Sequence, residues 1–270
     1  MTEFGIASDK GQVREANEDS CGFASEINLF VLSDGMGGLE CGEVASRIAV
    51  ETVIAHCREL QKEAQKNRLP LTDDRVSGAS DMANRLASAV RTANASVRQA
   101  AAERVPSGAM GATVVAAQIA RDRMTLAHVG DSRAYRLRDT DFKQLTRDHS
   151  FVAEEVRCGR MSDTEAAESS LKNVLIRALG VEPEVEVDTR DETILEGDTI
   201  LLCSDGLTRE LSDSQIAAVL EEADDSQGAA DRLVELANRA GGGDNITAIV
   251  VRPVPRPVGA FTRLGRWFRG

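Results

Sequence analysis

Aromatic residues are scarce in this chain of 270 residues: one tryptophan, one tyrosine and seven phenylalanines, 3% in all. Any core must therefore be filled mainly by aliphatic side chains. Histidine is also rare, and His56, His128 and His149 do not form a metal-binding spacing. His56 lies near the apolar face of a helical pattern and His128 inside a strand-like run, so packing or hydrogen bonding is expected of both. The five cysteines are odd in number, far apart and without a C-x-x-C pair. That excludes a disulfide framework and a zinc site and points to reduced, mostly buried thiols. No apolar run approaches the roughly 18 residues of a membrane span. The opening "MTEFGIASDKG" has no basic region followed by an apolar stretch, so no secretory signal is expected, and the expected location is cytoplasmic. Basic residues are outnumbered, 32 against 44 acidic ones, for a net charge of −12. This balance argues against a nucleic-acid partner.

What the chain does contain is a series of short apolar runs: "EFGIAS", "INLFVLS", "ATVVAAQIA", "RMTLAHV", "RAYRLR", "TILLCS" and "ITAIVV". Several are joined by tight polar turns, at Arg121-Asp122 and at "DTD" from 139 to 141, which favours antiparallel pairing. Two stretches, 43–60 and 81–104, repeat apolar residues at i, i+3, i+4, i+7 and predict long amphipathic helices. The polar stretch between them, from 62 to 80, reads as a surface loop. Ser162 with Glu165 and Ser212 with Gln215 have the spacing of capping boxes. The expected class is α+β, antiparallel sheets with helices packed outside them, in one domain spanning 1–251. "RPVPRPVG" then holds three of the six prolines and reads as the start of a linker and tail, 252–270. In that tail Phe261, Leu264, Trp267 and Phe268 fall on one side of a helix and Arg263, Arg266 and Arg269 on the other. Such a segment, 260–269, suits a membrane surface or a partner groove, or else packs on its own acidic body or stays disordered.

Three apolar runs meet a carboxylate in the same way. "NLFVLSDG" ends at Asp34-Gly35, "TILLCSDG" ends at Asp205-Gly206, and Asp244-Asn245 precede "ITAIVV". "LAHVGDSR" adds Asp131 between two strands. One Asp-Gly after a strand is usually a turn. Four aspartates at strand mouths can instead gather at one edge of a sandwich, where their repulsion calls for a cation. Oxygen-only ligation selects magnesium or manganese, and the absence of a D-x-[DN]-x-[DN]-G loop disfavours calcium. Upstream, Arg14 stands close in sequence to Glu18 and Asp19, and its planar fork suits two oxygens of a phosphate.

The motifs "VREANEDS", "VLSDGMGG", "GATVVAA", "AHVGDSRAYRL", "LTRDHS", "NVLIRALG", "LLCSDGLT" and "GGGDNITAIVV" occur in the order found in the PPM-type, or protein phosphatase 2C-like, metal-dependent serine/threonine phosphatases. The chain resembles the compact bacterial form of that family over about residues 3–251. The resemblance implies a four-layer sandwich, two packed antiparallel sheets flanked by helices, with two Mg2+ or Mn2+ ions at one end. It implies that Asp34 bridges both ions and the Gly35 carbonyl binds one of them, while Asp205 and Asp244 bind the other. Glu18 and Asp19 would hold waters on the ions, Arg14 would grip the substrate phosphate, and Asn245 would support the Asp244 end. A weak third ion would use Asp131 and Asp205. The implied partners are phosphoserine and phosphothreonine proteins, among them a serine/threonine kinase and its substrates, and the implied state is a monomer.

Two departures stand out. Many relatives carry a histidine after the Asp34-Gly35 pair, as general acid; this chain has Met36, which leaves water on the ions or His149 to protonate the leaving oxygen. Some relatives carry an acid four residues after the Asp205 position, serving the third ion; this chain has Arg209. The segment Ser150 to Val174 corresponds to the family's variable flap. Cys203 has no C-x5-R phosphate loop and is expected to pack in the core. The alternatives to a general phosphatase are a catalytically weak phosphopeptide-binding module and a phosphatase dedicated to one regulatory protein.

Overall fold

The computed structural model describes residues 2–37, 41–66, 79–104 and 110–253. Its strands are β1 (Glu3–Asp9), β2 (Asp19–Ala24), β3 (Leu29–Met36), β4 (Gly111–Ala112), β5 (Val114–Ala120), β6 (Arg123–Val129), β7 (Arg133–Arg138), β8 (Asp141–Gln144), β9 (Asp188–Thr193), β10 (Thr199–Cys203) and β11 (Ile246–Arg252). Its helices are α1 (Cys41–Gln65), α2 (Asp81–Arg104), α3 (Phe151–Arg157), α4 (Asp163–Glu168), α5 (Asp205–Glu210), α6 (Asp213–Glu222) and α7 (Ser226–Ala240). One sheet has the order β1-β11-β10-β7-β8 and the other β2-β3-β5-β6-β9, with β4 beside β3. All pairings are antiparallel. The tight turns do what their residues suggested: Arg121 and Asp139 adopt left-handed backbone, at φ 59° and 52°.

Strand alternation assigns the layers. In β3, Leu29 and Val31 pack toward α1 and α2, while Phe30 and Leu32 join the core between the sheets. In β10, Leu201 and Cys203 pack with α6 and α7, while Ile200 and Leu202 enter the inter-sheet core. Both faces of these strands are covered, so they read as unbroken apolar runs. The result is the four-layer sandwich, helices on sheet on sheet on helices.

Several elements differ from expectation. The first helix extends beyond 43–60 in both directions and takes up Lys62 to Gln65 from the expected loop. Its last turns are polar and carry a Lys62–Glu59 ion pair on the solvent side, so apolar periodicity does not mark them. Strands β2, β8 and β9 have no continuous apolar run, because each is short and only part of it is buried. Helix α7 is not among the expected elements, although Ala229, Leu233 and Ala237 have the spacing of a buried face. Both capping boxes, at Ser162 and Ser212, are present. Among the described residues no helix is long and apolar enough to cross a membrane. The proposed tail, 260–269, and most of the loop before α2 lie outside the described residues.

Candidate metal centre

The site arises from continuing the inter-sheet alternation by one step. Phe30 and Leu32 are followed in that parity by Asp34, Ile200 and Leu202 by Ser204, and Val251 and Ile249 by Thr247. Asp19, at the start of β2, is the cross-strand partner of Asp34. One end of an aliphatic core thus turns into a layer of carboxylates and hydroxyls. Ser204 and Thr247 each donate to Asp19 Oδ2 at 2.7 Å. The Asp34 amide donates to Thr113 Oγ1 at 2.9 Å, and Thr113 Oγ1 shares a 2.7 Å bond with the Ser132 hydroxyl. These hydroxyls were not anticipated; their signal was the strand parity.

Asp34, Asp131, Asp205, Asp244, Glu18, Gly35, Arg14 and Asn245 line one pocket of about 560 Å³, with Met36 and Arg209 on its wall. Asp19 lies directly behind, buried. Gly35 has no room for a side chain: a Cβ would sit 2.0 Å from the Gly42 carbonyl oxygen. Its amide donates to the Glu18 carbonyl at 3.1 Å, which brings the Glu18 segment against β3. Asn245 works mainly on that same segment. Its amide group donates to the carbonyls of Lys10 and Ala16 at 3.0 and 2.9 Å, and its Oδ1 accepts from the Glu18 amide at 2.7 Å. Arg14, half-exposed, forks onto Asp244 through Nε and Nη2, both at 2.8 Å. Arg209 joins Asp205 and Asp244, the latter at 2.6 Å.

The donor set fits divalent cations. Asp19 Oδ1 and Asp205 Oδ1 are buried without any hydrogen-bond partner, which is costly unless a cation completes them. Burial, with repulsion from Asp205 and Asp244, pushes the Asp19 carboxyl up to about 7 against the pull of its two hydroxyl donors. Burial, with Asp205 and Asp148 nearby, pushes Asp131 up to about 7 as well. Asp34 stands well above the ordinary carboxylate range through burial and repulsion from Asp19, Asp205, Asp131 and Asp244. Asp205 is raised by burial, with Arg209 opposing. Desolvated carboxylates that resist ionising together are what hard cations stabilise.

His149 does not line this pocket. It is buried behind the Asp131 turn, where Nδ1 accepts from the Gly130 amide at 3.1 Å and Nε2 meets Arg177 and Asp188. Those contacts remove it as a proton donor to a ligand in the pocket. The fold does bring His128, His149 and Asp188 together, which sequence spacing hid. The two rings stack at 4.8 Å, and burial pushes His128 down to about 4. Nε2 of His128 bonds the Arg147 backbone, so this cluster is already satisfied by protein. Cys203 is fully buried in β10, where burial pushes its thiol up to about 12, an inert packing residue. The segment from Ser150 to Val174 folds as α3 and α4 and is closed at its base by a Ser150–Leu175 bridge. Asn173 and Leu175 reach the pocket wall.

Known proteins resemble this chain in both sequence and fold. A family model described as protein phosphatase 2C matches residues 10–239. The serine/threonine phosphatase stp of Listeria welshimeri is 37% identical over 247 residues, 90% of this chain and 93% of that protein. The serine/threonine protein phosphatase PstP of Mycobacterium tuberculosis is 37% identical over 251 residues, 93% of this chain and 45% of that longer protein. A crystal structure of the PstP catalytic domain in complex with two manganese ions superposes with a TM-score of 0.73 at 37% identity, covering 93% of this chain and 97% of that one. Similarity of this extent, over a sandwich that ends in the same acidic layer its motifs foretold, leaves one assignment: the chain belongs to the protein phosphatase 2C family, the PPM-type serine/threonine phosphatases.

Proposed function

We propose that the chain hydrolyses phosphoserine and phosphothreonine on proteins at a binuclear Mg2+ or Mn2+ centre, opposing a serine/threonine kinase. The observation that carries the reading is the pair of buried, unpartnered carboxylate oxygens on Asp19 and Asp205 inside a cluster of raised-pKa aspartates. Asp34, the Gly35 carbonyl, Asp205 and Asp244 would hold the ions, with Glu18 and Asp19 orienting water beside them. Two such ions supply an activated water near neutral pH and neutralise charge on the phosphoryl oxygens. Arg14 has the reach and planar fork to take two phosphate oxygens in place of the Asp244 carboxylate it now grips. Asn245 keeps the Lys10–Glu18 segment, which carries Arg14, in position by three hydrogen bonds. No imidazole lines the pocket and Met36 has no proton to give, so the leaving serine or threonine oxygen takes its proton from water. The flap, through Asn173 and Leu175 at the wall, would select among phosphoproteins.

The test is Mn2+-dependent hydrolysis of a phosphothreonine peptide and of p-nitrophenyl phosphate, with Asp34→Asn and Asp205→Asn as controls. Each substitution should lower kcat by more than the roughly 10- to 100-fold that loss of an outer partner of a metal ligand costs. No hydrolysis with any divalent ion would remove the enzyme reading, and full activity in both variants would remove the site.

A further inference from the structure

Arg209 gives this acidic centre a permanent cation of its own. Asp205 opens α5 and Arg209 follows four residues later, one helical turn on, so both side chains share a face. The guanidinium joins two carboxylates from different elements, Asp205 on α5 and Asp244 ahead of β11. Arg14 grips the same Asp244 carboxylate independently. An arginine cannot lose its charge in a protein, so this cation is always present.

We propose that Arg209 is a tethered counter-ion that limits the centre to two divalent ions and competes with them for Asp205 and Asp244. The proposal rests on the two-ion reading above. Its first support is charge. The pocket and its floor hold seven carboxylates, Glu15, Glu18, Asp19, Asp34, Asp131, Asp205 and Asp244, and two guanidinia, Arg14 and Arg209. Two divalent ions cancel four of the remaining five negative charges; a third would leave an excess of positive charge in a poorly solvated cleft. Its second support is position. Asp131 is buried at this pocket, and Arg209 lines the same wall beside Asp205. Its third support is room. Arg209 lines both this pocket and the adjoining cleft of about 1330 Å³ beneath the flap, and its side chain is 31% exposed. When ions claim the carboxylates, the guanidinium can withdraw toward solvent without being stranded as a buried charge. The unpartnered oxygens of Asp19 and Asp205 show that Arg209 does not saturate the cluster.

The experiment counts Mn2+ bound at equilibrium, by the electron paramagnetic resonance of free Mn2+ and by calorimetry, on the wild-type chain and on R209D, R209Q and R209K. The wild type and R209K should bind two ions. R209D, with eight carboxylates against one guanidinium, should bind three. R209Q should hold the weaker of its two ions at least about tenfold more tightly, the effect of removing a competing charge at contact distance. If R209D does not fold, the R209Q affinity and the R209K stoichiometry still decide. A third ion on the wild type, a folded R209D that still binds two, or an R209Q affinity within twofold of wild type overturns the proposal. A wild-type chain that binds no Mn2+ at millimolar concentration overturns the two-ion reading itself, and this proposal with it.

Discussion

At Gly35 a single methyl group would collide with the backbone of two other segments, 2.0 Å from the Gly42 carbonyl oxygen and 2.7 Å from that of Glu18. Gly35→Ala should therefore cost about 1–3 kcal/mol of stability, the scale of overpacking a tight interior. It should also weaken Mn2+ binding, since the backbone that must move carries Asp34; unfolding in denaturant and a Mn2+ titration measure the two effects. Asn245 presents the opposite case, a residue valued for its three hydrogen bonds. Asn245→Ala leaves the carbonyls of Lys10 and Ala16 and the Glu18 amide without that partner, at about 0.5–1.5 kcal/mol each. Because those bonds hold the segment bearing Arg14, the expected kinetic signature is a raised KM for phosphopeptide together with lowered thermal stability. An unchanged KM would show that Arg14 is positioned by other contacts.

At the scale of elements, two helices carry the same capping box and use it differently. Helix α6 buries Ile216, Val219 and Leu220, so it belongs to the cooperative core. Helix α4 buries nothing and stands in the flap. Ser212→Ala should lower global stability by about 1 kcal/mol, whereas Ser162→Ala should leave global unfolding within about 0.5 kcal/mol of wild type. The second substitution should instead raise amide hydrogen exchange from 163 to 168 alone. Equal losses of global stability would mean that the flap unfolds with the core. Boundaries were readable where apolar periodicity ran to the end of an element, as in α2, and unreadable where burial was partial. β9, "DTRDET", is an edge strand whose place comes from pairing with β6, not from its own pattern.

For the whole molecule, the acidic end gives stability a dependence on pH that the metal should abolish. Asp19 and Asp131 titrate at about 7 in the folded chain, against about 3.9 for an unfolded aspartate. Between those values the folded state holds protons that the unfolded state has lost. Their contribution is full below the ordinary carboxylate range and disappears as pH rises through about 7. In a chelator the melting temperature should fall from about pH 5 to about pH 7.5. Saturating Mn2+ should abolish that fall, because cations bind the ionised carboxylates. Asp188, held below the usual range by His149 and Arg177, acts with the opposite sign but at lower pH. A metal-free melting temperature that rises across this window would contradict the raised values.

Local chemistry was sufficient for much of this. Apolar runs of strand length, two helix-period stretches, tight turns and capping boxes are interactions between residues near in sequence, so pattern alone reveals them. So were the aspartates at the strand mouths, since a carboxylate that stops an apolar run is visible without coordinates. What only the tertiary structure decided is which of these distant positions meet. Strand parity and the order of two sheets bring Asp19, Asp34, Ser204 and Thr247 into one layer, put Arg209 across Asp205 and Asp244, and bury His149 behind the turn that carries Asp131. Those contacts join residues far apart in the chain, and their energy comes from desolvation and mutual charge, which exist only once the sheets have packed.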